Sequence, residues 1–105
     1  MPVKEFAYKW TWAEAASTGR AADPAFVRGK VSQFTFGFQT GAGCTATVQM
    51  QTAPESTGPW ASLLAAANLS TSAYQVQQMA GPLDWLAPYV TAKTTGVLVI
   101  TADGV

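Results

Sequence analysis

The stretch Val31–Thr52, VSQFTFGFQTGAGCTATVQMQT, carries two alternating runs around a glycine-rich break. In the first run Phe34, Phe36 and Phe38 fall on one side, and Gln33, Thr35 and Gln39 fall on the other. In the second, Ala46, Val48 and Met50 alternate with Thr47, Gln49 and Gln51. A period of two with apolar residues on one side is the pattern of a half-buried strand. The break TGAG reads as a turn, so the pair is expected to form a β-hairpin. Gly37, inside the first run, marks a bulge or a close backbone approach.

The same pattern extends outward in both directions. Lys4 to Trp12 alternates, with Phe6, Tyr8, Trp10 and Trp12 on one face and Glu5, Ala7, Lys9 and Thr11 on the other. TWAE, from Thr11, has capping-box spacing for at most one helical turn. Ser17 to Lys30 is punctuated by Gly19, Asp23-Pro24 and Gly29 and reads as a connector, long enough to be a partner-binding segment. Trp60 to Leu64 fits either a helical face or a strand, and is read as a short strand. Tyr74 to Met79 alternates, and Leu86 to Lys93 is a strand interrupted by Pro88, which implies an edge or a bulge. Val97 to Ala102 is a final β-branched run. About seven short strands with turn signals every 8–12 residues predict an all-β fold, a single antiparallel β-sandwich of immunoglobulin-like or jelly-roll type. Residues 1–30 form an aromatic N-terminal strand or arm plus connector, and 31–105 the sandwich body, within one domain of 105 residues.

Composition narrows the function classes. Charged residues make up only 11%, against the usual ~25%, and net charge is zero. Without a basic cluster to neutralise phosphates, nucleic-acid binding is not expected. No apolar run approaches the ~20 residues that cross a bilayer, and Lys4, Glu5 and Lys9 interrupt any signal-peptide core, so neither a membrane partner nor secretion is expected. The sequon NLS at Asn68 to Ser70 then carries no meaning. A low-charge surface favours association.

Chemistry finds few carriers. Histidine is absent, which removes the commonest general base and most metal sites. The single cysteine, Cys44, lacks a basic neighbour in sequence and reads as a small buried residue suited to a reducing cytoplasm. Glu55 and Asp84 fall in loops that could share one end of a sandwich, the one arrangement that would suit a glycosidase. As turn residues they need no such role. Gly41 to Ala46, GAGCTA, fits a loose dinucleotide fingerprint, but a strand pattern follows it where the fingerprint needs a helix. No catalytic residue, cofactor or metal site is therefore expected.

Trp60 and Trp85 each follow a turn and are expected to cap the core. Exposed in one plane, they would instead suit a carbohydrate-binding module. The face of Phe6, Tyr8, Trp10 and Trp12 must cover either this domain's own core or a neighbouring subunit. These four residues, with Phe26, are the candidate interface.

Two segments carry a family resemblance. ATVQMQTAPESTGPWASL, from Ala46, and AGPLDWLAPYVTAKTTGVLVITADG, ending at Gly104, resemble patterns of small β-sandwich structural proteins of tailed bacteriophages. These are an alternating strand, a small polar loop, a tryptophan, a hydroxyl residue and leucine, and a C-terminal pair of strands. The sequence departs from the pattern where ESTG replaces an Asp-Gly turn, where the penultimate strand lacks an arginine, and over residues 1–30. The resemblance implies a virion protein assembled in a bacterial cytoplasm: a capsid decoration or cement protein, or a tail or head-fibre accessory protein. Its partners would be the major capsid protein or other virion subunits, with self-association. The N-terminal segment would serve as an arm that adds a strand to a neighbour.

Overall fold

A computed structural model describes residues 8–13, 18–21, 23–29, 31–94 and 96–104. Phe6, at the start of the expected interface, lies outside them, as does Glu14 of TWAE; Thr11 to Ala13 of that segment continue a strand and do not open the expected helical turn. The described residues contain no helix. They form ten strands: β1 (Tyr8–Ala13), β2 (Gly19–Arg20), β3 (Ala25–Phe26), β4 (Gln33–Thr40), β5 (Ala46–Ala53), β6 (Ala61–Ser62), β7 (Ala67–Leu69), β8 (Tyr74–Ala80), β9 (Trp85–Lys93) and β10 (Leu98–Gly104). They form two antiparallel sheets. The first runs β1-β10-β4-β8; the second runs β2-β9-β5-β6, with β3 also on β9 and β7 also on β5. The fold is an all-β sandwich.

The core lies between the sheets and follows the alternation. Phe34, Phe36 and Phe38 of β4, Leu98, Ile100 and Ala102 of β10, Val48 and Met50 of β5, and Leu86 and Val90 of β9 are all buried. Each large side chain of this set contributes roughly 1.5–3 kcal/mol by leaving water.

The expected hairpin does not form. β4 pairs with β10 and β8 in one sheet, while β5 pairs with β9 in the other. The two runs face each other across the core, and Thr40 to Thr45 arches between the layers. An apolar face on each strand serves an arch as well as a hairpin, so the pattern alone could not separate them. Side chains hold the arch. The Thr40 hydroxyl donates to Ser70 O (2.6 Å) and accepts from Ala73 N (2.9 Å). Cys44 is buried at the crossing, and a side chain on Gly96 would strike its Cβ at 2.8 Å. Thr94 clamps the neighbouring arch: its Oγ1 accepts from Thr45 N (2.7 Å), and its own N–H donates to Thr45 O (2.9 Å). GAGCTA is thus the connection between layers, not a phosphate cradle.

The connector read over 17–30 is instead two short strands on β9, separated by a break. This break explains Pro88. Ala21 N donates to Pro88 O (3.1 Å), and the N–H that Pro88 lacks would fall on the same side, so the β2 ladder stops there and Pro88 interrupts no pairing with β5. The irregularity in β9 falls further on, where Thr47 pairs with Ala92 but Val48 with Val90, leaving Thr91 as the extra residue of a bulge. Gly37 is a close-approach site, as its position suggested. A Cβ there would lie 2.7 Å from Thr101 Oγ1 and 3.2 Å from Tyr74 Oη.

Candidate functional site

Register decides which side chains leave the core. Along β9, Leu86, Pro88 and Val90 point inward, so Trp85, Ala87 and Tyr89 point outward. Pairing places Phe26 beside Trp85, Arg20 beside Tyr89, and Gln51 between Ala87 and Ser62. Trp60 enters β6 next to Ala61, level with Ala53, and shares this outer face.

These residues form a layer over the second sheet. Phe26 and Trp85 pack with ring centroids 4.9 Å apart at 50°. The Arg20 guanidinium lies 4.7 Å from the Trp60 ring centre and 5.5 Å from that of Tyr89. It donates through Nε (3.1 Å) and Nη2 (2.9 Å) to Gln51 Oε1. Ala87 is 0% exposed and Ala53 is 3%, although both point away from the core. The register sets Gln51 beside Ala87, and Trp85 and Trp60 on either side of Ala53. Two cation–π contacts, each worth ~0.5–1 kcal/mol at an exposed site, hold the arginine over the sheet with Gln51. Among the described residues no carboxylate pairs with Arg20.

The face ends in an ion pair. Arg28 Nε meets Asp84 Oδ1 at 2.6 Å, and its guanidinium lies 5.9 Å from the Phe26 ring centre. The hydrogen bond from Arg28 holds the Asp84 carboxyl below the usual carboxylate range, and the same contact raises Arg28. Both groups are exposed to solvent, so the pair fixes geometry more than it stabilises the fold.

The expected interface residues separate. Tyr8, Trp10 and Trp12 share the inner side of β1, which pairs with β10 of its own chain from Tyr8↔Gly104 to Ala13↔Val99. Trp12 is 5% exposed and its Nε1 donates to Asp23 O (3.0 Å), so it is a core residue that ties the first sheet to the β2–β3 segment. Trp10 is half-buried against the core, and Tyr8 stacks on it at 5.8 Å. Phe26, 39% exposed, belongs to the other sheet and its opposite side. Trp60 and Trp85, expected in the core, are half-buried on the outer face instead. Starting the strand at Trp85 rather than Leu86 would have revealed this, because parity then puts Trp85 and Tyr89 opposite Leu86 and Val90. The same parity would have placed Tyr89 there, and Gln51 already read as outward; Arg20 was missed because its place depends on β2, which two residues could not announce.

Glu55 and Asp84 do not form a facing pair. Asp84 is taken by Arg28, and Glu55 is exposed in the turn closed by Gly58 N to Glu55 O (3.0 Å). The groove beside Asp84, lined by Thr52, Ala53, Pro59 and Leu83 among others, does not include Glu55. Among the described residues no three His, Cys, Asp or Glu side chains gather as a metal site, and no helix is long and apolar enough to cross a membrane.

No family model matches the chain, and no curated protein matches it in sequence. Among solved structures, the fold is similar to that of the SPBc2 prophage-derived protein YomS. The TM-score is 0.62 at 16% identity, over 98% of both chains. A weaker likeness is to the pili of Bacillus endospore appendages, a family described as disulfide-linked. There the TM-score is 0.48 at 14% identity, over 94% of this chain and 86% of that one. At these identities the first likeness concerns the fold alone, and the second is too weak to carry an argument.

Proposed function

We propose that this chain is a non-enzymatic structural protein of a tailed-phage particle. It would be a decoration protein that binds the outside of the capsid shell through the outer face of its second sheet. The observation that carries this reading is the layer of Phe26, Trp85, Trp60, Tyr89 and Arg20. Tryptophan, tyrosine and arginine are the residues that most often dominate binding energy at interfaces. Here they are fixed by sheet register, by mutual stacking and by Gln51, so docking costs little side-chain entropy. The low charge of the chain keeps desolvation of the surroundings cheap. Arg20, which has no carboxylate partner among the described residues, suits an acceptor on the partner. A standard contact of ~800 Å² per partner, repeated over a symmetric shell, multiplies a modest affinity. The fold shared with a prophage-derived protein agrees with the sequence resemblance to phage structural proteins. A tail or head-fibre protein would use the same surface on a different part of the particle.

The same face gives a second reading. Trp60 and Trp85 lie two strand spacings apart, roughly 10 Å, on one side of a sheet. Two rings so placed suit stacking on a polysaccharide. One experiment separates the readings: the purified protein is mixed with empty capsid shells from the genome that encodes it, and separately with soluble polysaccharides. Saturable co-sedimentation with shells, without quenching of tryptophan fluorescence by sugars, is expected. Quenching with no shell binding would replace the first reading with the second.

A further inference from the structure

The edges of the two sheets are built differently. The second sheet ends in fragments of two or three residues: β2 and β3 on one side, β6 and β7 on the other. Short edges are a common protection against unwanted pairing. The first sheet ends at β8, seven residues reading YQVQQMA. It has no charge, no proline and no bulge, and its register with β4 runs unbroken from Gln33↔Ala80 to Gln39↔Tyr74. Among the described residues none of the usual devices blocks this edge.

Hydrogen bonding shows which backbone groups of β8 face outward. Thr40 N donates to Ala73 O (2.9 Å), and Gly81 N donates to Ser32 O (2.8 Å). Odd-numbered residues of β8 therefore turn toward β4. Tyr74, Val76, Gln78 and Ala80 direct their N–H and C=O groups away from it. The same four side chains lie on the solvent face, where Tyr74 is 63% and Val76 is 46% exposed. The other parity faces inward. Gln75 Nε2 donates to Asn68 O (2.7 Å), and Gln77 Nε2 to Ala65 O (2.8 Å). Gln77 Oε1 is buried with no hydrogen-bond partner.

We infer that two copies of the chain pair through β8, antiparallel, about a two-fold axis at Gln77, to make one continuous sheet across the dimer. The occupant is a second copy because the strand is self-complementary. Tyr74 opposite Ala80, and Val76 opposite Gln78, keep every side chain on its own face. They use all the outward backbone groups in about eight hydrogen bonds. Any register shifted by one residue would exchange the faces. Without a charge on the strand, two copies meet without repulsion. The two-fold sets Gln77 against its twin in a non-hydrogen-bonded pair, where side chains come closest.

The test is amide exchange on the intact protein at low and high concentration, with sedimentation alongside. A dimer is expected, together with protection of the Tyr74, Val76, Gln78 and Ala80 amides that rises with concentration. Val76→Pro removes an N–H that β4 does not use, and should give a folded monomer. Gln77→Cys should cross-link between copies under mild oxidation, and Gln75→Cys should not. A monomer at all concentrations, protection confined to the odd residues, or a dimer that survives Val76→Pro would overturn the inference. Should Val76→Pro fail to fold, the exchange pattern of the unmodified chain still decides.

Discussion

Replacing Trp12 by alanine tests whether the N-terminal strand belongs to the body of the protein. Trp12 is 5% exposed, contacts the core and donates to Asp23 O at 3.0 Å. Truncating a buried tryptophan costs about 3–5 kcal/mol, from lost transfer energy plus the cavity left behind. In a domain of this size each kcal/mol moves Tm by roughly 4–8 °C, so the midpoint should fall by about 15–30 °C. Trp12→Phe keeps most of the burial and loses the hydrogen bond. Asp23 is exposed and water can replace the donor, so that change should cost only about 1 kcal/mol. Urea and thermal denaturation followed by far-ultraviolet circular dichroism measure both. Deleting residues 1–12 removes Trp12 and most of an edge strand, and should cost at least as much as Trp12→Ala. A loss below about 1 kcal/mol for Trp12→Ala would refute the docking of β1 and restore the N-terminal segment as a free arm.

Other consequences can be measured independently. Gly37→Ala should destabilise by about 1–3 kcal/mol, because its Cβ would meet Thr101 Oγ1 at 2.7 Å; adding Thr101→Ala should recover much of that loss in a double-mutant cycle. The Asp84 carboxyl should titrate below the usual carboxylate range by NMR, and return toward it in Arg28→Met. Since a depressed folded value means stability present above the unfolded pKa and lost as pH falls through the folded one, any contribution of this pair should fade only in acid. Cys44 should be unreactive toward a thiol reagent in the native protein and react fully once unfolded, because it is 0% exposed. Arg20→Ala should cost about 1–2 kcal/mol through two cation–π contacts and the Gln51 hydrogen bonds, and should change Trp60 fluorescence.

The strands were legible where alternation ran for six residues or more. Val31–Gln39 and Thr45–Thr52 each declare one apolar face, and the structure buries those faces, whereas the β-branched run Val97–Ala102 declares a strand without saying which side is buried. The choice of sheet was not legible. A run such as Phe34, Phe36 and Phe38 says that one side is buried, but not whether the next strand lies beside it or across from it. That depends on the arch at Thr40 to Thr45 and its bonds to Ser70, Ala73 and Thr94, all distant in sequence. β2, β3, β6 and β7 are too short to show a period, and they exist because β9 and β5 offer an edge. The outer aromatic layer was hidden by the habit of assigning large rings to the core. Trp85 and Tyr89 were within reach through parity, whereas Arg20 and Trp60 were not, since their meeting requires two connections to close first.

The account rests on one surface, and a density map of the protein bound to capsid shells tests it most directly. The map should place the second sheet against the shell, with Trp60, Trp85, Tyr89 and Arg20 buried in the contact and the first sheet turned away. A bound protein whose aromatic and arginine layer faces solvent would contradict the assignment of that face.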